Sequence, residues 1–338
     1  MESSRNDVGP ALECSRRGFV RRVSLASVAW AGLAPVGGAV DSVRRVRFGL
    51  IADIHPDVLP DGLERVQAFV SAMTEARVDF VIQLGDFVWP KPSNQKFLDA
   101  WNRFPGPRFH VLGNHDMDDG YTSDQTVAFV GMPARYYTFP AGPALGIVLD
   151  GNEPGGTRTG YRRFLGQTQL KWLEQELARA TRPCLLFIHQ PFDVEHDDAL
   201  ENAGEVRAVV EQAERSRPGT VLAVFSGHFH LDYARVVRGI RYFEINSAAY
   251  WWLANKEARR EVYPPKVHER FQWASAVAPY RDPLWAVVTV DLDRGELLIE
   301  GKRSDWLGPD PWARGEITDR PRESLHPWIS DQRVTVKG

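Results

Sequence analysis

Residues 47–55 read Arg47-Phe48-Gly49-Leu50-Ile51-Ala52-Asp53-Ile54-His55, a mostly apolar run that ends in a carboxylate and an imidazole two positions apart. The run has the length of a buried strand. In extended backbone a spacing of two puts Asp53 and His55 on the same side. The construction recurs down the chain. Asp79-Phe80-Val81-Ile82-Gln83-Leu84 leads into Gly85-Asp86, and Arg108-Phe109-His110-Val111-Leu112 into Gly113-Asn114-His115-Asp116. Apolar residues 184–188 lead into His189-Gln190-Pro191, and residues 221–225 into Gly227-His228-Phe229-His230.

Between these strands the period changes. Residues 61–77 place Leu63, Val66, Phe69, Val70 and Met73 at helical spacing. Helical patches also fall near 97–104, 168–180 and 205–215. Strands separated by helices imply crossover connections and largely parallel pairing, an α/β fold. In a parallel sheet the carboxyl ends of the strands share one edge, so the five motifs are expected to converge. Residue 146–149 adds a further strand of the same kind. Farther on, 241–245 and the pair 286–292 and 296–302, joined by Asp293-Arg294-Gly295, read as antiparallel hairpins. Residues 250–282 have no clear period and read as a long aromatic excursion. Residues 304–338, rich in Pro and Trp, read as an irregular tail packed by its indoles.

The composition fits a packed enzyme-sized domain: 338 residues, 43% hydrophobic, 25% charged. A net charge of -3 gives no basic surplus for general nucleic-acid binding. No apolar run reaches the ~20 residues of a membrane span. Cys14 and Cys184 are the two cysteines, too few for a disulfide framework. The first 39 residues look like an address. Ser15-Arg16-Arg17-Gly18-Phe19-Val20-Arg21 precedes an uncharged stretch, 23–36, and then Gly37-Gly38-Ala39. These are the parts of an export signal, and the paired arginines resemble the twin-arginine (Tat) motif. Cleavage near Ala39 would leave a mature chain of net charge -5, periplasmic or secreted, with no membrane segment. The expected organisation is a signal over 1–39, one catalytic domain over 40–303 and the tail.

Five of the nine histidines lie inside the strand-end motifs. Carboxylates, imidazoles and one amide gathered at one edge are ligands for borderline divalent metals. Singly, each motif is an ordinary turn or helix cap. Together and in this order, Asp-x-His, Gly-Asp, Gly-Asn-His-Asp, His and Gly-His-x-His resemble the calcineurin-like metallophosphoesterase superfamily over residues 47–246. The resemblance implies a four-layer αββα sandwich of mixed sheets around a two-metal site. By position, Asp53, His55 and His230 would hold one metal and Asn114, His189 and His228 the other. Asp86 would bridge them, and His115 would lie close by without ligating. The motif spacing and Asn246-Ser247-Ala248-Ala249 are most similar to the cyclic-nucleotide phosphodiesterase and related exported branch.

The chemistry makes sense of such a set. A phosphate ester repels hydroxide, whereas two metals ~3.5–4 Å apart neutralise its charge, lower the pKa of a bridging water and stabilise in-line attack. Fe, Mn, Zn or Co suit mixed nitrogen and oxygen ligands. His115 is the expected general acid, protonating the leaving oxygen, or a hydrogen-bond donor to the phosphoryl group. Asp116 is either its partner or a surface acid. Tyr250, Trp251 and Trp252 read as packing, or as a wall for a base or aryl group. His196, Asp197 and Asp198 read as a solvated loop, and Arg162 and Arg163 as a solvated pair or a phosphate clamp. Cys184 reads as core, and Trp306, Trp312 and Trp328 as cover for a sheet face. The expected activity is hydrolysis of small phosphodiesters or phosphomonoesters. A nuclease and a non-catalytic scaffold that binds a partner protein are the rivals.

Overall fold

The computed structural model describes residues 44–316 and 321–336. The export-signal segment, 1–39, lies outside the described residues. The described chain begins with the expected alternation: β1 (Arg45–Ile51), α1 (Gly62–Glu75), β2 (Phe80–Gln83), α2 (Gln95–Trp101) and β3 (Arg108–His110). After α3 (Ser123–Val130) come β4 (Tyr137–Ala141), β5 (Ala144–Val148), α4 (Gln167–Arg179), β6 (Cys184–Phe187), α5 (Ala203–Ser216) and β7 (Val221–Ser226). The remainder is β8 (Tyr233–Val237), β9 (Ile240–Glu244), β10 (Tyr250–Trp252), α6 (Pro265–Arg270), β11 (Val277–Pro279), β12 (Ala286–Asp291), β13 (Glu296–Gly301) and β14 (Gln332–Thr335).

These strands form two six-stranded mixed sheets, ordered β14-β13-β12-β1-β2-β3 and β4-β5-β6-β7-β9-β8. Helical crossovers make β1, β2 and β3 parallel in the first, and β5, β6 and β7 parallel in the second. The expected single parallel edge is therefore two edges. Three motifs end strands of the first sheet, and two end strands of the second. Strand hydrophobicity could not reveal this, because a central strand of either sheet is buried on both faces and reads as a continuous apolar run.

Period-two alternation decides which side chain goes where. Phe48, Leu50, Phe80 and Ile82 face inward and meet Phe139, Leu185, Phe187 and Phe225 of the other sheet in one core. The Phe48 ring lies 5.9 Å from Phe187 and 6.0 Å from Phe225, both edge-on. Such a buried ring contributes roughly 1.5–3 kcal/mol from its apolar area alone. The outward residues Ile51 and Val81 pack beneath α1 and α2 with Phe69 and Trp101. On the far side Cys184, Leu186 and Val224 pack beneath α4 and α5 with Leu173 and Val206. The layers are thus helix, sheet, sheet, helix, as in an αββα sandwich.

Two stretches are more ordered than their sequence indicates. Within 250–282, β10 and β11 pair antiparallel into a two-stranded ribbon. Within the tail expected to be irregular, β14 pairs with β13 and forms an edge of the first sheet. The hairpin expectation holds for β12–β13. For β9 it is half the picture, since that strand pairs antiparallel with β8 but parallel with β7. Trp306 covers the core beside Tyr280, and Trp328 stacks on His326 at 3.8 Å.

Candidate active site

All five motifs meet between the two sheets. Asp53, His55, Asp86, Asn114, His189 and His230 are buried, and His228 is half-buried. Their loops are zipped together by backbone bonds: Asp53 N donates to Gly85 O, His55 N to Asp86 O, and Gly227 N to His189 O. The approach is so close that only glycine fits. A Cβ at Gly113 would lie 2.2 Å from the Asp86 backbone nitrogen, and one at Gly85, where φ is +102°, 2.4 Å from the His189 ring. Asp53, His55, Asp86, His228 and His230 all have positive φ, between 46° and 78°. Left-handed backbone at a non-glycine residue costs roughly 1–3 kcal/mol. Five such residues on three loops show backbone strain concentrated at one place, where it aims side chains inward.

The donor atoms face one another. His55 Nε2 lies 3.3 Å from His230 Nε2 and 3.4 Å from Asp86 Oδ2. His230 Nε2 is 3.4 Å from Asp53 Oδ1. His189 Nε2 is 3.2 Å from Asp86 Oδ2, 3.1 Å from Asn114 Oδ1 and 3.1 Å from His228 Nδ1. Ligands each ~2.1 Å from one ion sit about 3.0–3.4 Å apart at octahedral to tetrahedral angles, so the spacings suit shared ions. Two groups of potential ligands result, Asp53-His55-His230 and Asp86-His189-His228, and Asp86 also groups with His55 and His115. His189 Nδ1 donates to Leu84 O and His230 Nδ1 to Tyr250 O, each at 2.8 Å. A carbonyl can only accept, so Nδ1 holds its proton in both rings and Nε2 is the atom turned to the centre, able to ligate once any proton on it is released, as in metal-bound histidines. Asp53 Oδ1 is buried without a hydrogen-bond donor.

Electrostatics point the same way. Burial pushes the Asp53 carboxyl up, but His230 and His55 outweigh it and hold it below the ordinary range. Asp86 is likewise held low, mainly by His189, His115 and His55 against its burial. Burial opposes protonation of His189, yet Asp86 and Asp53 push it up to about 10. Burial and the neighbouring His189 push His228 down to about 3. Two buried carboxylates therefore demand positive charge, which protons or metal ions can provide; metal binding would release the protons. The cluster is suited to two metal ions.

His115 sits at the margin. Its backbone N–H donates to Asp86 Oδ1 at 2.8 Å, and its ring lies 4.9 Å from that of His55. Its Nδ1 pairs with Asp118 Oδ2 at 2.8 Å, and Tyr161 donates to Asp118 Oδ1 at 2.9 Å. Burial disfavours the charged ring, but Asp86 and Asp118 outweigh it and push His115 up to about 9. Asp116 is therefore neither its partner nor a surface acid. It is buried, with Oδ1 accepting from Phe87 N and Val88 N and Oδ2 from Gly113 N, so it clamps two motif loops together. Glu244 plays the same part for the loop after β7, accepting from Ser226 Oγ and Phe229 N. Ser247 donates to Asp53 O at 2.9 Å. Tyr250 is fully buried against the His55 and His230 rings, while half-buried Trp252 reaches 6.1 Å from His55 and 6.3 Å from exposed Trp273.

Asp118, Tyr161 and Glu244 were not among the residues singled out from sequence. Asp118 had a local signal, an acid three positions after His115 within one turn. Tyr161 and Glu244 had none. His196 and Asp198 lie on an exposed loop beyond the site, where Asp198 N donates to His196 Nδ1.

Comparison with known proteins fixes the family. A profile of calcineurin-like phosphoesterases matches residues 46–232, more than half of the chain. The chain belongs to the calcineurin-like phosphoesterase family. It is a metal-dependent phosphoric ester hydrolase. The chain is similar to a manganese-dependent ADP-ribose/CDP-alcohol diphosphatase of Oryza sativa subsp. japonica, 26% identical over 54% of this chain and 77% of the relative. The protein of the same description from Arabidopsis thaliana is 23% identical, over 54% of this chain and 79% of its own. Among solved structures, a dimetal phosphatase from Danio rerio superposes with a TM-score of 0.56 at 14% identity, covering 86% of this chain and 99% of that one. GAP50, the anchor in the inner membrane complex of Plasmodium, superposes at 0.50 with 13% identity, over 87% and 90%. At such identities these structures speak for the fold alone.

Proposed function

We propose that this phosphoesterase hydrolyses small phosphate esters, and specifically diphosphates, whose two phosphoryl groups share an anhydride oxygen. Asp53, His55 and His230 would hold one metal ion, Asn114, His189 and His228 the second, and Asp86 both. One observation carries this assignment: ring nitrogens, carboxylate oxygens and the Asn114 amide oxygen from five loops face a common space at 3.1–3.4 Å, with two rings held through Nδ1 by carbonyls. Metal ions bound there supply charge neutralisation and a nucleophilic water. The chain supplies the rest. Asn114 positions the phosphoryl group. His115, oriented through Nδ1 by Asp118 and grouped with His55 and Asp86, would donate a proton to the leaving oxygen. The diphosphate preference, over the substrates of the cyclic-nucleotide phosphodiesterase branch that the motif spacing resembles, is supported by the activity named for the rice and Arabidopsis relatives.

The test is turnover of ADP-ribose, CDP-choline, bis(p-nitrophenyl) phosphate and p-nitrophenyl phosphate by manganese-loaded protein and by Asp86→Asn. Diphosphate hydrolysis lost in the variant is expected. Bound metal without turnover of any of the four would overturn hydrolysis and leave the scaffold.

We further propose Tat-dependent export to the periplasm or medium, supported by Ser15-Arg16-Arg17-Gly18-Phe19-Val20-Arg21 and the short uncharged stretch after it. Mass spectrometry of protein from the native host should find a new amino terminus close to Val40. An intact Met1 would overturn cleavage.

A further inference from the structure

Beside the cradle lies a cleft of about 450 Å³, in the ~300–1,000 Å³ range of small-molecule sites. It begins at Asn114, so a ligand seated in the cradle extends into it. Its walls include Thr122, Ser123 and the acid Asp124 at the start of α3, Asn152, and Tyr161 and Arg162 from the loop after β5, with Met117 and Tyr121 as apolar neighbours. The hydroxyls, the amide of Asn152 and the guanidinium of Arg162 give one side of the cleft the donors for a charged, hydroxylated group.

Two cations line the cleft, and they differ. Arg135 is neutralised by Asp150 at 2.7 Å and Glu153 at 3.3 Å. Arg162 has no ion pair among the described residues, whereas the adjacent Arg163 lies 3.8 Å from Asp198. The pair that sequence could treat only as a unit is thus divided: one arginine is engaged away from the cleft, the other lines it unengaged. The backbone on both sides of Arg162 is anchored, downstream by Glu201 N donating to Arg163 O and Phe164 N to Gly151 O. Upstream, Thr157 N, Thr157 Oγ1 and Arg158 N all donate to Glu201, and Arg158 donates to the carbonyls of His196 and Asp197. Immediately before it, Tyr161 is fastened to Asp118. The rim acid Asp124 acts on Arg135, whose guanidinium it helps hold in the charged form after Asp150 and Glu153.

We propose that Arg162 and this cleft form the subsite for the distal phosphoryl group of a diphosphate, an inference that rests on the function proposed above. In the reaction a water oxygen bonds to the phosphorus in the cradle and the anhydride P–O bond breaks. The bridging oxygen leaves with the distal phosphoryl in the cleft, giving two phosphomonoesters and a proton. A forked guanidinium contact to that group is strong and specific in geometry.

The test compares parent, Arg162→Gln and Arg162→Lys, all manganese-loaded, on ADP-ribose and on bis(p-nitrophenyl) phosphate, which has no distal phosphoryl. Arg162→Gln should raise the ratio of the ADP-ribose KM to the diester KM by roughly 10- to 100-fold, the loss expected for a hydrogen bond to a charged group. Affinity for the uncleavable methylene-bridged analogue of ADP-ribose, read by calorimetry, should fall by a similar factor, with Arg162→Lys in between. A parent that cleaves ADP-ribose with no change in that ratio on Arg162→Gln overturns the subsite and leaves the function standing. A parent that cleaves the diester and not ADP-ribose overturns both.

Discussion

The cradle of Asp53, His55, Asp86, Asn114, His189, His228 and His230 is buried, strained and braced, whereas its rim, Tyr161, Arg162 and Trp273, stands in solvent. Tyr161 is 42% exposed and Trp273 53%. Every cradle loop has a carboxylate, hydroxyl or carbonyl behind it: Asp116 for the loops after β2 and β3, the Leu84 carbonyl for His189, Glu244 for the loop after β7, Ser247 for Asp53. A cluster of buried charge survives only when neighbouring polar groups are satisfied, so the cradle can vary little. The rim carries no such burden. It can change with the substrate while the chemistry beneath it stays the same.

The largest effect should come from Asp86, proposed above to hold both metal ions. Asp86→Asn should abolish turnover and lower bound metal, measured by steady-state assay and elemental analysis; retained activity would break the distinction between cradle and rim. Next in size is His115→Gln, at the boundary. It should cost ~10²–10⁴-fold in kcat while metal content stays near that of the parent. A fall in metal content equal to that of Asp86→Asn would place His115 in the cradle.

How much of this was legible in the sequence follows from the same contrast. The cradle residues were legible because each follows an apolar strand and belongs to a short polar motif. The sheet to which each strand belongs was not, since the switch is made by α3 and the β4–β5 hairpin, which have no motif. Asp116 was misplaced because adjacency to His115 says nothing of direction. In the tight turn over Asn114–Gly120, Asp116 points back at Gly113 and Phe87, and Asp118 meets the ring. Tyr161 reaches His115 from 46 residues away, a contact no local pattern encodes. β14 escaped because Gln332–Thr335 is a short edge strand with an alternating, half-exposed pattern.

Two smaller effects sharpen the comparison. Asp116→Asn keeps the shape of the clamp but sets an amide N–H against backbone donors where a carboxyl oxygen accepts. It should cost roughly 1–3 kcal/mol of stability and about 10- to 100-fold in activity or metal affinity, read by denaturant melts and metal titration. The same variant with parental stability and activity would show that the brace is dispensable. Trp273→Ala on the rim should change stability by no more than about 0.5 kcal/mol and leave metal content as in the parent. A loss as large as that of Asp116→Asn would mean that the exposed ring supports the cradle after all.

The most direct measurement is anomalous diffraction at the manganese edge from crystals of the metal-loaded protein, with elemental analysis of the same preparation. Two ions per chain are predicted, one among Asp53, His55 and His230, one among Asn114, His189 and His228, with Asp86 between them. Two ions bound elsewhere, or none in a protein that still cleaves phosphate esters, would contradict the account.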